Sequence, residues 1–137
     1  MQFTKIAQLL SLAAAATAVS VSYDTGYDDA SRSLTAVQCS DGKNGLITRY
    51  GWQTQGQIPS QFIGGAYAVE AWNSVNCGTC WELSYDGKTI NVLAIDGASG
   101  GFNIELSALD ALTGGQGVAV GRVEATARQV DASACGI

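Results

Sequence analysis

The sequence predicts a single, mainly β domain with little helix, stapled by disulfides. Three observations predict it. The chain has 17 glycines but only one proline, Pro59, so tight reversals fall mostly to Gly, Asn and Asp. Short apolar segments lie between those turn residues, several with a repeat of two. Cys39, Cys77, Cys80 and Cys135 form an even set, which in an exported chain reads as two disulfides. No internal repeat, low-complexity tract or linker divides the sequence.

The elements follow in order. Lys5 gives the N-terminus a basic flank, and the run from Ile6 to Val19 is apolar, broken only by Gln8, Ser11 and Thr17. A membrane span needs about 20 apolar residues, so this run has the length of an export signal, with Ala16 and Ala18 supplying the small-residue cleavage site. Residues 1–18 are assigned to the signal and 19–137 to one domain of ordinary size. The competing reading is an uncleaved amphipathic helix. No other segment is long and apolar enough for a membrane span, so a soluble, exported product is expected.

Gly45 to Trp52 reads as a strand. Ala68, Ala71, Trp72 and Val75 fall on one helical stripe, which predicts a short helix with Trp72 in the core. Cys80–Tyr85 and Thr89–Ile95 read as two strands joined by a hairpin at Asp86-Gly87, the second apolar enough to be covered on both faces. Leu106, Leu109 and Leu112 mark a second helix, stopped by Gly114-Gly115. Val118 to Val130 reads as a strand with Ala119, Val123, Ala125 and Ala127 inward, and Arg122, Glu124, Thr126 and Arg128 outward.

Composition excludes several classes of function. Without Lys5, six Lys and Arg face twelve Asp and Glu, and no basic run exists. Nucleic acid and anionic membranes are therefore poor partners. Histidine is absent, which removes Ser-His and Cys-His nucleophile arrangements. Cys77-Gly78-Thr79-Cys80 would suggest a redox motif in a cytosolic setting, but export and the two further cysteines oppose that reading. One close cysteine pair is too few for a usual zinc fold, and neither a metal nor a cofactor is expected. Three disulfide pairings are possible, and spacing does not choose among them.

Asp96 is the strongest candidate for chemistry. Counting by twos through Ile90, Val92 and Ala94 places it where an apolar strand face ends, at the rim of a groove. There it would bind sugar hydroxyls; the plainer reading is an Asp-Gly turn with Gly97. A glycosidase needs a second acid across the bond. Asp24, Asp28 and Asp29 lie in a polar N-terminal stretch, and Glu105 and Asp110 on the expected surface of a helix, so the sequence alone places none opposite Asp96. Among the aromatics, Trp72 and Trp81 are expected in the core, and Tyr23 and Tyr27 at the surface.

Ordered blocks across the domain carry a family resemblance. Val21-Ser22-Tyr23-Asp24 with Tyr27-Asp28, and Cys39-Ser40-Asp41-Gly42, open the match. Ala71-Trp72-Asn73-Ser74, then Cys77-Gly78-Thr79-Cys80-Trp81, then Ala94-Ile95-Asp96 and Gly100-Gly101-Phe102-Asn103 continue it. Gly121-Arg122-Val123 and Cys135 close it. The chain resembles the cerato-platanin (snodprot-type) family of small secreted fungal proteins from about Val21 to Gly136, departing at Ala71, where Gly is usual.

The resemblance implies a double-psi β-barrel, expansin-like, with short peripheral helices and with Cys39 paired to Cys77 and Cys80 to Cys135. It implies a protein of the extracellular medium or cell wall that binds chitin oligomers and self-associates at interfaces. Such a protein elicits host defence or acts as a phytotoxin, through a possible host-surface receptor, and loosens wall polysaccharide without hydrolysing it. Asp96 and Asn103 match its saccharide groove. Tyr23 and the loop carrying Asn73, Asn76, Gly78 and Thr79 are adjacent candidates. The competing class is a glycoside hydrolase or lytic enzyme on the same barrel, using Asp96.

Overall fold

In a computed structural model of the chain, residues 15–137 are described, so the greater part of the expected signal, residues 1–14, lies outside them. Six strands carry the fold: β1 (Thr17–Tyr23), β2 (Phe62–Ala66), β3 (Cys80–Tyr85), β4 (Lys88–Gly97), β5 (Gly101–Ile104) and β6 (Arg122–Val130). They close into a barrel in the order β1-β5-β2-β4-β3-β6. The β1–β5 and β2–β4 pairs are parallel and the remaining pairs antiparallel. This closed, mixed arrangement is a double-psi β-barrel, and it leaves no strand with an unpaired flank. Among the described residues three short α-helices lie outside: α1 (Leu46–Tyr50), α2 (Leu106–Thr113) and α3 (Gly117–Val120).

Local chemistry accounts for the best-defined parts. Asp86 and Gly87 both take positive φ, 50° and 79°, which is the twist a two-residue hairpin between β3 and β4 requires. In β6, Val123, Ala125 and Ala127 are buried while Arg122, Glu124, Thr126 and Arg128 are exposed. Helix α2 buries Ala108, Leu109 and Leu112 and ends at Gly114 in the left-handed region. Its first free N–H groups, Leu106 and Ser107, donate to the Asp28 carboxylate at 2.7 and 3.1 Å. One continuous core results, built on Val21, Leu83, Leu93, Ile95 and Ile104 from the barrel and Leu109 and Leu112 from α2.

Three expectations are corrected. Gly45 to Trp52 holds helix α1, not a strand. The Leu46 and Ile47 N–H groups donate to the carbonyls of Cys39 and Ser40, folding the segment back on itself before Gly51 ends it. Ala68 to Val75 is a run of turns and not a helix, because Asn73 takes φ 62° and breaks any right-handed repeat. Trp72 (55 % exposed) and Val75 (79 %) consequently face solvent instead of the core, whereas Trp81 is buried against Phe102. Residues 117–120 form α3 and Gly121 turns the chain, so β6 starts at Arg122 and Ala119 lies off its buried face. Ala71 is not among the positive-φ residues, so its place does not require glycine.

Of the three pairings open to the cysteines, the structure has Cys39 with Cys77 and Cys80 with Cys135, with no free cysteine among the described residues. The first ties the segment before α1 to the loop before β3. The second fastens the start of β3 to the C-terminal turn. Sequence separations of 38 and 55 residues put each near 4 kcal/mol in the chain-entropy account. Replacing Cys80 and Cys135 together by serine is expected to lower unfolding free energy by about 2–5 kcal/mol. A urea midpoint equal to that of the parent protein would contradict this.

Candidate saccharide site

Register builds a polar row across four neighbouring strands. Ser22 of β1 pairs with Asn103 of β5, Asn103 with Gly65 of β2, and Gly65 with Asp96 of β4. Side chains at paired positions project on the same face of a sheet, so Ser22, Asn103 and Asp96 share one face with a gap at Gly65. The gap is a steric necessity. A Cβ on Gly65 would stand 2.5 Å from the Gly97 carbonyl oxygen and 3.2 Å from the Tyr27 hydroxyl. A register shift between Gly64 and Gly65 allows Asp96 to enter this row from the end of β4.

Asp96 is held by three donors. Tyr27 OH donates to Oδ2 at 2.8 Å, and the Gln38 and Gly97 N–H groups donate to Oδ1 at 3.0 Å each. Ser22 Oγ lies 3.1 Å from Asn103 Oδ1, which leaves the Asn103 Nδ2 group without a hydrogen bond among the described residues. Tyr27, expected at the surface, is buried, and its hydroxyl stands in the space beside Gly65 on the face of the row. Burial first, then the charge of Asp96 and the hydrogen bond to it, push its hydroxyl well above the ordinary tyrosine range; Arg32, 5.4 Å over the ring, opposes the shift.

The remaining expected residues lie elsewhere. Tyr23 pairs with Ile104, one register step beyond Ser22, so it projects on the opposite face from the row and packs partly on the core. Asn73, Asn76, Gly78 and Thr79 belong to a separate turn segment. It docks on β4 two residues before Asp96: Gly78 N–H donates to the Ala94 carbonyl and Ala94 N–H to the Thr79 carbonyl. Their side chains largely serve the loop itself. Asn76 Nδ2 donates to the Ala68 carbonyl, and Thr79 Oγ1 donates to the Asn76 carbonyl while accepting from Trp81 Nε1.

Among the described residues no second acid is hydrogen-bonded to Asp96, although Asp24, like Asp96, raises the Tyr27 pKa. Glu105, expected on a helix surface, is half-buried ahead of α2, accepting from Ile63 N–H at 2.7 Å and lying 3.2 Å from Ser107 Oγ. Burial raises its pKa against the Ile63 contact, and the neighbouring acid that acts on it is Asp28, not Asp96. Asp110 accepts from Gly117 N–H and so joins α2 to α3. Beyond Asp96 an open cleft of about 440 Å³ is lined by Gln38, Tyr67, Val69, Glu70, Gly97 and Ser99. Its one carboxylate, Glu70, is exposed. No cluster of metal-ligating side chains occurs among the described residues.

Ser22, Gly65 and Tyr27 complete the row without being among the candidate residues that the sequence nominates. The Gly64-Gly65 doublet inside a strand was a usable signal, since paired glycines there mark a close approach of other groups.

Tyr27 binds its proton more tightly in the folded state than in the unfolded chain. Its contribution is therefore fully present below about pH 10 and is lost as pH rises toward the higher folded value. Tyr27→Phe is expected to cost about 1–2 kcal/mol at neutral pH through the lost hydrogen bond. The same substitution should flatten the loss of stability above pH 10, read from urea midpoints at pH 8 and 11. Equal slopes in the two proteins would contradict the assignment.

Known proteins share this architecture. The cerato-platanin family model matches residues 19–137. The allergen Asp f 15 of Aspergillus fumigatus is 52% identical over 118 residues, covering 85% of this chain and 76% of that protein. The crystal structure of cerato-platanin 3 from M. perniciosa superposes with a TM-score of 0.85 at 45% identity, covering 88% of this chain and all of that one. The solution structure of the fungal elicitor Cerato-Platanin gives 0.75 at 37% identity, covering 85% and 96%. An expansin of Clavibacter michiganensis, in complex with cellohexaose, shares the fold alone, at a TM-score of 0.57 and 16% identity over 85% of this chain and 51% of that one. By sequence and by fold, the chain belongs to the cerato-platanin family.

Proposed function

We propose that this chain is an exported, non-catalytic binder of chitin and related N-acetylglucosamine oligomers, acting at host surfaces as an elicitor or phytotoxin. The observation that carries the reading is the row of Ser22, Asn103 and Asp96 around the gap at Gly65. It offers sugar hydroxyls a carboxylate, an amide and a hydroxyl at fixed spacing, beside an open cleft. A related structure is named a fungal elicitor, and an expansin of the same fold holds cellohexaose. The loop of Asn73, Asn76, Gly78 and Thr79 offers a further, separate surface docked on β4, while Tyr23, on the opposite face of β1, stands apart from the row. Recognition by a host receptor, self-association at interfaces and loosening of wall polysaccharide belong to the same reading.

The absence of turnover rests on chemistry. Glycoside hydrolysis needs two carboxyl groups flanking the bond, one of them a proton donor. Asp96 accepts from three protein donors, and Glu105, whose pKa burial raises, has Ile63 N–H, Ser107 and Asp28 as its neighbours and not Asp96. Export follows from the signal at residues 1–18, and the two disulfides suit an oxidising compartment. Cleavage after Ala18 would remove Thr17 and Ala18 from the pairing with β6 and leave the Ser20–Tyr23 pairing with β5 intact.

Titration of labelled protein with chitohexaose, following backbone amide NMR shifts, is expected to give weak, saturable changes at Gly65, Asp96 and Asn103. An open cleft buries little ligand against the cost of ordering it, hence the weakness. Asp96→Asn should weaken binding about tenfold, and no shortened oligomer should accumulate. Accumulation of products that stops in Asp96→Asn would overturn the non-catalytic reading, and unmoved amides along the row would overturn the site.

A further inference from the structure

We propose that Trp72 is a second saccharide subsite, a stacking platform for one pyranose ring of a neutral polysaccharide chain. The inference rests on the saccharide-binding reading above and extends it to a surface outside the Asp96 row. Its starting point is a tryptophan more than half exposed beside the still more exposed Val75, the most exposed aromatic ring among the described residues, whereas Trp81 is buried. Exposing indole to water is unfavourable, and a single bare ring held in place is a feature that ligand contact would explain.

The ring is held firmly. Its Nε1–H donates to Asp41 Oδ1 at 2.7 Å. Part of it lies against Gly42, where a Cβ would come within 2.9 Å of Trp72 Cζ2. The next residue, Asn73, is locked to the facing loop by two bonds. Asn44 N–H donates to Asn73 Oδ1 at 2.8 Å, and Asn44 Nδ2 donates to the Asn73 carbonyl at 3.0 Å. Cys39–Cys77 ties the two loops together at their base. A ring fixed by its edge and by both flanking loops loses little freedom on binding, which is the condition under which stacking yields affinity.

The surroundings select the occupant. Asp41 Oδ2, Asn44 Oδ1 and Asn73 Nδ2 make no hydrogen bond among the described residues, so the two loops that hold the ring keep acceptors and a donor free for sugar hydroxyls. A sugar ring offers C–H groups to the indole face and hydroxyls to that rim. The acidic balance of the chain disfavours a polyanion. The loop also leaves from and returns to the end of β4. The Val69 carbonyl oxygen lies 2.8 Å from where a Gly97 Cβ would stand, and Gly78 and Thr79 bond to Ala94. The loop that carries Trp72 is therefore rooted at both ends on β4, the strand that ends in Asp96-Gly97.

The test is a chitohexaose titration of the whole mature protein, following the indole Nε1–H signal of each tryptophan together with the Gly65 and Asn103 amides. The Trp72 signal is expected to shift with saturation, while that of Trp81, buried and bonded to Thr79, stays in place. Trp72→Ala should weaken binding about tenfold with an unchanged spread of amide signals elsewhere. Trp72→Phe, which keeps an aromatic face, should restore most of the affinity. A still Trp72 signal, or Trp72→Ala binding like the parent, would overturn the subsite while leaving the row in force. Movement at Trp72 without movement at Gly65 and Asn103 would keep the subsite and overturn the row; no movement anywhere would overturn both.

Discussion

The Asp96 carboxylate is the point on which this side of the molecule is fastened. Its two oxygens gather the Tyr27 hydroxyl, the Gln38 N–H and the Gly97 N–H, groups that belong to the N-terminal turn, the segment before Cys39 and the end of β4. Charge-assisted hydrogen bonds are the strong ones, and three on one partly buried acid fix its rotamer. The N-terminal turn is gripped a second time by Gln55, whose Nε2 faces the carbonyls of Gly26, Tyr27 and Asp29. Asp28 of the same turn then caps α2. A short polar segment thus links the row, the helix and the barrel end without a core of its own.

Two loop systems stand on this frame with different support. The row is set by strand register, so its spacing is a property of the barrel. The Asp41–Asn44 and Trp72–Asn76 loops lack strand pairing and depend on the Cys39–Cys77 bridge and the reciprocal Asn44–Asn73 bonds. Reduction of the protein is accordingly expected to disturb the loops before the row.

The sequence revealed what local forces decide. The β3–β4 hairpin was legible because Asp86-Gly87 prescribes its own twist, α2 because leucines and a glycine pair frame it, and β6 because buried and charged residues alternate. Asp96 could be placed at a strand end by counting. What was hidden depends on distant partners. Tyr27 is buried by a bond to a residue 69 positions away, and α1 forms because Cys39 and Ser40 supply carbonyls to a segment whose Ile, Thr and Tyr favour strands. Trp72 was misplaced because a helical stripe says nothing of the left-handed turn at Asn73. Asn103 has no local signal, since only the fold brings it across Gly65 from Asp96.

The order of strands around the barrel also governs when the chain can fold. The first strand finds both its neighbours only near the far end of the sequence, in β5 and β6. Contacts of such long sequence separation form slowly. Closure must await almost the entire polypeptide, and Cys135 lies beyond β6, so the Cys80–Cys135 bridge can form only after the final strand has been made.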